Sequence, residues 1–285
     1  MTTRLQSDES FTLGVRRLLL EAIDRLAKET DVHEVRLACK QVRAWLRLLR
    51  GAMDKSAFQR ENLAFRNIGR RFRAARDSKT LQDTIAGLEK AKPDRIDDDI
   101  AGRLLGAVMS SRRVVTMEDM DRAFAQTRTD AEAAKARIGA LSLGKADIAK
   151  ALTLTWRRNV HAWRRVKRKT GQDKTLALHE WRKQAKHLRY QLQILRDAWP
   201  KILDRLDRRL EKLTTQLGDD HDLAMLEQAL DSLKSSVPAD SVLPLIARER
   251  RGHQRKAARL AEQLYGRKTK AFADAAERHW QAWRQ

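Results

Sequence analysis

Apolar residues recur at intervals of three and four along almost the whole chain, the spacing that gives an α-helix one buried face. This periodicity predicts helices over about 9–29, 33–51, 56–76, 78–91, 97–139, 146–170, 176–198, 200–218, 220–235 and 240–283, with the longer ones broken. Alternating runs of Val, Ile and Thr are scarce, so strands find little support. Pro93, Pro200, Pro238 and Pro244 sit at or near predicted ends or turns, and Gly171 and Gly218 read as helix ends. The expected fold is all-α.

The polar positions carry a second pattern. His33, Glu34, Arg36, Lys40 and Arg43 share one spacing with His179, Glu180, Arg182, Lys186 and Arg189, each displaced by 146. Steps of three, seven and ten from the histidine fall on one narrow helix face, so each copy is a stripe of one imidazole and three cations. Arg47 continues the first stripe. Val35, Ala38, Val42, Leu46 and Leu49 oppose it, as Trp181, Ala185, Leu188, Leu192 and Leu195 oppose the second. Arg76-Asp77 and His221-Asp222 match at a displacement of 145. We expect two helical halves, about 5–140 and 145–285, related by an internal pseudo-two-fold axis. Together they form one unit over 1–285.

Further stripes follow the same rule: Arg157, His161, Arg164 and Arg168; Arg66, Arg70 and Arg73; and, more weakly, Arg205, Arg209 and Lys212. One charged stripe is ordinarily a solvated face. Solvated helices usually mix signs and gain from Glu–Lys pairs four apart. The histidine stripes do not mix signs, and they occur twice.

Charge narrows the partner. The chain has 60 Lys+Arg against 38 Asp+Glu, a formal net charge of +22, which favours a polyanion: nucleic acid, an anionic membrane or a polyphosphate. Recognition of bases needs aromatic platforms beside cations, and the stripes have almost none. A phosphate chain without bases needs only charge and donors, which Arg supplies in pairs and Lys as a point charge. Nucleic acid is therefore not expected as the specific partner. No run of 18 apolar residues exists, so no membrane span is expected. The single cysteine, Cys39, excludes an intramolecular disulfide and suits a reducing compartment. MTTRLQSDESF at the start has no apolar core of a secretory signal, so a cytoplasmic setting is expected.

Other motifs are explained by structure. Gly139 to Ala146 lies one residue from a P-loop, but Ala146 lacks the hydroxyl that Mg²⁺ needs and no strand precedes it, so it reads as a turn between helices. Asp219-Asp220-His221-Asp222 reads as a helix N-terminus rather than a metal site, as do Asp97, Asp98 and Asp99. Lys183 occupies the place of the second histidine of a zincin motif. Trp45 and Trp181 read as core. No metal or other cofactor is called for.

These residues carry a resemblance. LHEWRKQAKHLRYQLQIL at 178–195, its first-half equivalent VHEVRLACKQVRAWLRLL at 32–49, LGDDHDLAML at 217–226 and TWRRNVHAW at 155–163 resemble the CHAD family, the conserved-histidine α-helical domain. The resemblance implies two four-helix bundles around a basic cavity and binding of inorganic polyphosphate. By motif position it implies anion contacts from His33, Arg36, Lys40 and Arg43, and from His179, Arg182, Lys186, Arg189 and Tyr190. The first copy has Ala44 where the second has Tyr190. Arg47, Arg70, Arg73, Arg157, His161 and Arg164 complete the expected site. Family members often adjoin a CYTH triphosphatase domain marked by E-x-E-x-K; no E-x-E occurs here, so the chain reads as a stand-alone copy.

The expected function is non-catalytic binding of polyphosphate, with association to polyphosphate granules. The rival readings are a polyphosphate-processing enzyme, for which Asp77 and Asp222 are the repeat-related candidates, and a nucleic-acid binder. Protonation of His33 and His179 is expected to tighten binding as pH falls from about 8 to 6.

Overall fold

The computed structural model describes residues 4–233, 239–266 and 269–285. Among them are eleven α-helices and no strand: α1 (Phe11–Lys28), α2 (Val32–Leu46), α3 (Lys55–Arg71), α4 (Arg73–Ala91), α5 (Asp98–Ser110), α6 (Met117–Gly139), α7 (Ile148–Lys167), α8 (Gly171–Gln193), α9 (Pro200–Asp231), α10 (Ala239–Tyr265) and α11 (Thr269–Trp283). None of the described helices is long and apolar enough to cross a membrane.

Local chemistry explains most of the ends. Asp31, Asp97 and Asp147 cap α2, α5 and α7 by accepting from the backbone N–H three residues on. The predicted span 97–139 breaks because Thr116 and Asp119 form a reciprocal capping box that starts α6. Gly171 starts α8 at φ +52, where a side chain would be strained. Residues 140–147 form the expected connection between α6 and α7, held by Gly144 N–H on the Ala52 carbonyl at 2.8 Å.

Three sequence expectations are corrected. Gly218 does not end a helix, because 200–218 and 220–235 merge into α9 up to Asp231. Asp219 to Asp222 therefore lie mid-helix and are held by side-chain partners: Arg250 and Gln254 donate to Asp220 at 3.2 and 2.8 Å. Gly218 instead gives room to Arg182, whose guanidinium would lie 3.5 Å from a Cβ there. Pro244 lies inside α10, while Pro238 falls outside the described residues. The predicted boundary between 56–76 and 78–91 moves to Phe72, at φ −94 and ψ 18, whose buried ring packs on Phe124 with centroids 4.9 Å apart.

α1, α2, α3 and α6 pack as one bundle; α7, α8, α9 and α10 form a second, with α11 against α7. One apolar core runs through both, and the rings of Trp45, Trp156 and Trp181 are almost fully buried in it. Truncating such a ring costs about 3–5 kcal/mol. A smaller core joins α4 and α5 to the C-terminal half of α9 and the start of α10 through Leu81, Leu104, Leu226 and Ile246. Glu61 is fully buried between α3 and α6, where Arg137 grips both its oxygens at 2.8 and 2.9 Å.

α2 and α8 pack against each other where the bundles meet. Trp45 Nε1 donates to the Tyr190 carbonyl at 3.0 Å, and Gln191 Nε2 donates to the Ala44 carbonyl at 2.8 Å. Under the displacement of 146, position 45 maps to 191 and 44 to 190. The two bonds thus join positions that correspond under the sequence displacement. Trp45→Phe keeps most of the ring and deletes the donor. It should lower stability by about 1–3 kcal/mol, read as a lower urea midpoint with unchanged m-value.

Candidate anion-binding cavity

A cavity of about 790 Å³ opens beside that crossing, between α2, the α3–α4 bend, the start of α8 and the C-terminal half of α9. The apolar side of α2 is buried through Val35, Val42 and Leu46, which turns Arg36, Lys40 and Arg43 towards the cavity. Arg66 and Arg70 reach it from α3, Arg73 and Arg76 from α4, and Arg112 from the turn after α5. His179 and His221 add imidazoles. Eight cations thus share the lining with one carboxylate, Asp77, and that group is already bonded to Arg73 at 3.2 Å and Arg76 at 2.8 Å. Phe65, fully buried, is the only Phe, Tyr or Trp in the lining.

The two imidazoles stack with centroids 4.6 Å apart. His221 Nδ1 lies 3.0 Å from Asp222, which in turn lies 3.6 Å from Arg76 across the bundle boundary. Burial alone would raise the Asp222 carboxyl, but His221, Arg182 and Arg76 bring it below its ordinary value. Arg36 donates to the Gly69 carbonyl at 2.5 Å and Arg43 to Asn62 Oδ1 at 3.2 Å. His179 Nδ1 and Arg182 Nε are buried with no hydrogen-bond partner in the protein among the described residues.

Burial and mutual repulsion strain these charges. Lys40 is pushed down to about 8 by burial and by Arg36, Arg182 and Arg76. Lys186 is pushed down to about 7 by burial and by Arg182 and Lys40. Burial, with Lys183, His221 and Arg182, takes His179 down to about 3, so it stays neutral. Burial likewise lowers Arg36 and Arg182. An anion would relieve each of these penalties.

Of the residues expected from sequence, Arg36, Lys40, Arg43, Arg70, Arg73 and His179 line the cavity. Arg182 and Lys186 lie behind it, with Arg76 as a charged neighbour of both. The others are placed elsewhere. His33 is exposed in the first turn of α2. Arg157, His161 and Arg164 are exposed on α7, outside the lining. Arg189 is neutralised by Asp207 at 3.0 Å and Glu211 at 2.5 Å; burial alone would lower it, but these partners raise it. Tyr190 is buried, outside the lining. Arg47, at the end of α2, faces Arg158 and Arg50 instead.

Arg76, His221, Arg112 and Arg66 were missed as site residues, the last although its stripe was noted. The match of Arg76-Asp77 with His221-Asp222 pointed to the first two. Arg112 had no local signal, because only tertiary packing brings the turn after α5 to the cavity.

Residues 13–231 match the family model of the CHAD domain. The chain belongs to the CHAD domain family. The crystal structure of the CHAD domain from the plant Ricinus communis is similar to it with a TM-score of 0.57 at 18% identity, covering 99% of this chain and 95% of that one. No curated protein matches the chain.

In this CHAD domain His179 is thus not a group that titrates near neutrality. The low values of Lys40 and Lys186 have a consequence for stability. Both lysines bind more protons in the unfolded chain than in the folded one between about pH 7 and 10, so stability should climb with pH across that window and be lowest below about pH 7. Replacing both lysines by Met should raise stability at about pH 7 and flatten the climb. Urea unfolding of the two proteins across this range measures it.

Proposed function

We propose that the cavity binds inorganic polyphosphate and performs no chemistry on it. The observation that carries this reading is the lining itself: eight cations, one carboxylate already bonded to two of them, and a fully buried Phe65 as its one Phe, Tyr or Trp. Such a lining offers charge-assisted bonds to phosphate oxygens along a chain but no exposed Phe, Tyr or Trp as a platform for a base. The two repeat-related carboxylates are already paired, Asp77 with Arg73 and Arg76, Asp222 with His221. Among the described residues no group of three or more His, Cys, Asp or Glu has a metal-holding arrangement. Association with polyphosphate granules in the cytoplasm follows as the cellular counterpart of this reading.

Competition at physiological salt tests it. Long-chain polyphosphate should displace duplex DNA and RNA at matched charge, and affinity should fall as salt rises. Equal or stronger binding of DNA would overturn the reading, and release of phosphate from the chain would overturn its non-catalytic part.

Two substitutions probe the stripes. Arg36→Ala with Lys40→Ala, and Arg182→Ala with Lys186→Ala, should each weaken binding of the long chain, by roughly 1.5–3 kcal/mol per desolvated contact, with helicity intact. Isothermal titration and circular dichroism on the same samples decide it.

Proton linkage gives a third check. Bound phosphate favours the ammonium forms of Lys40 and Lys186, which in the free protein sit near about 8 and 7. Affinity should therefore weaken as pH rises from about 7 to 9. The change should follow these lysines, since His179 remains neutral in this range and His33 lies outside the lining. Titrations at several pH values, with the lysine pair replaced as control, measure it.

A further inference from the structure

The ends of the two stripes differ. Arg189 at the end of the second stripe bonds Asp207, as does Gln193 at 3.1 Å, and Arg189 also pairs with Glu211. Displaced by 146, Arg189 and Gln193 map to Arg43 and Arg47. Displaced by 145, as Asp222 is from Asp77, Asp207 and Glu211 map to Asn62 and Arg66. Arg43 bonds Asn62 where Arg189 bonds Asp207. Both carboxylates are thus missing at the end of the first stripe, one replaced by an amide and the other by a further cation.

The charge left there continues past the cavity. Arg43, which lines the cavity, is a charged neighbour of Arg47, and Arg47 also donates to the Arg43 carbonyl. Arg47 also has Arg158 and Arg50 as charged neighbours, and the buried His187 has Arg47, Arg43, Arg158 and Lys183 as its own. His187 is 8% exposed and its Nδ1 has no protein partner among the described residues. Glu180 is a carboxylate near Arg47; it pairs with Lys183 at 3.5 Å and takes the Gln184 amide at 2.6 Å. Burial and the surrounding cations hold Arg47 below its ordinary value.

We propose that Arg47, Arg158, Lys183 and His187 form a second anion subsite, reached from the cavity past Arg43, which takes the continuation of a phosphate chain too long for the cavity alone. The proposal rests on the reading of the cavity as a polyphosphate site and adds a direction to it. The chain leaves at the unneutralised end of the first stripe and not at the end closed by Asp207 and Glu211.

The test is the full chain carrying Arg158→Ala with Lys183→Ala, titrated with tripolyphosphate and with long-chain polyphosphate. Neither residue lines the cavity. Affinity for the long chain should drop about tenfold or more, and its salt dependence should flatten by roughly one to two counterions. Tripolyphosphate binding should be unchanged, which also shows that the variant is folded. Arg158→Gln with Lys183→Gln, which keeps stem bulk, should behave alike. Unchanged long-chain affinity in these variants, together with a loss in Lys40→Ala with Lys186→Ala, would overturn the subsite and leave the cavity reading standing. Equal losses for both ligands would overturn the subsite as a separate feature. If long-chain binding survives all three variants, the cavity reading and the subsite both fall.

Discussion

Two side-chain hydrogen bonds at the crossing of α2 and α8 fix where the remaining charges lie. Trp45 and Gln191 each reach across to a carbonyl of the other helix, Tyr190 and Ala44 respectively. Both side chains are buried, and neither carbonyl lies in a place where water could readily replace its partner. With the two helices locked in that register, Lys40 and Lys186 become charged neighbours, and so do Lys40 and Arg182. The apolar core that runs through both bundles supplies the free energy that holds these like charges together.

Under the proposed reading, function and stability are opposed at this point. A chain selected for stability alone would not bury Lys40, Lys186 and Arg182 beside one another with one carboxylate in the adjoining lining. The repulsion is a form of preorganisation, since the donors stand in place before an anion arrives and need little rearrangement to meet it. Most other buried or half-buried charges follow the opposite rule. Glu61 is clasped by Arg137, and Asp220 by Arg250.

Much of this was legible in the sequence, because helical period and charge spacing are both local. The period of the apolar residues gave the helices, and the repeated stripe picked out Arg36, Lys40, Arg43 and His179. The errors have non-local causes. Gly218 and Asp219 to Asp222 looked like a helix boundary. They continue α9 because Arg182, Arg250 and Gln254, distant in sequence, occupy the space and the acceptors around them. The stripe on α7 also kept to one helical face, at steps of four, three and four, yet Arg157, His161 and Arg164 are exposed; spacing defines a face and leaves open what the face meets. Arg189 matched the motif in every local respect and is cancelled by carboxylates 18 and 22 residues away.

The bend at Phe72 sets a mechanical requirement on any polymer that enters. Arg66 and Arg70 precede it and Arg73 and Arg76 follow it, so the cationic wall turns within a few residues. A thread has to curve on that same scale to touch both sides of the bend. Duplex DNA resists bending over roughly 50 nm, far beyond the span of a few helical turns at about 5.4 Å each. Flexural stiffness, quite apart from charge density, therefore separates the polyanions that could follow this wall from those that could only rest across its mouth.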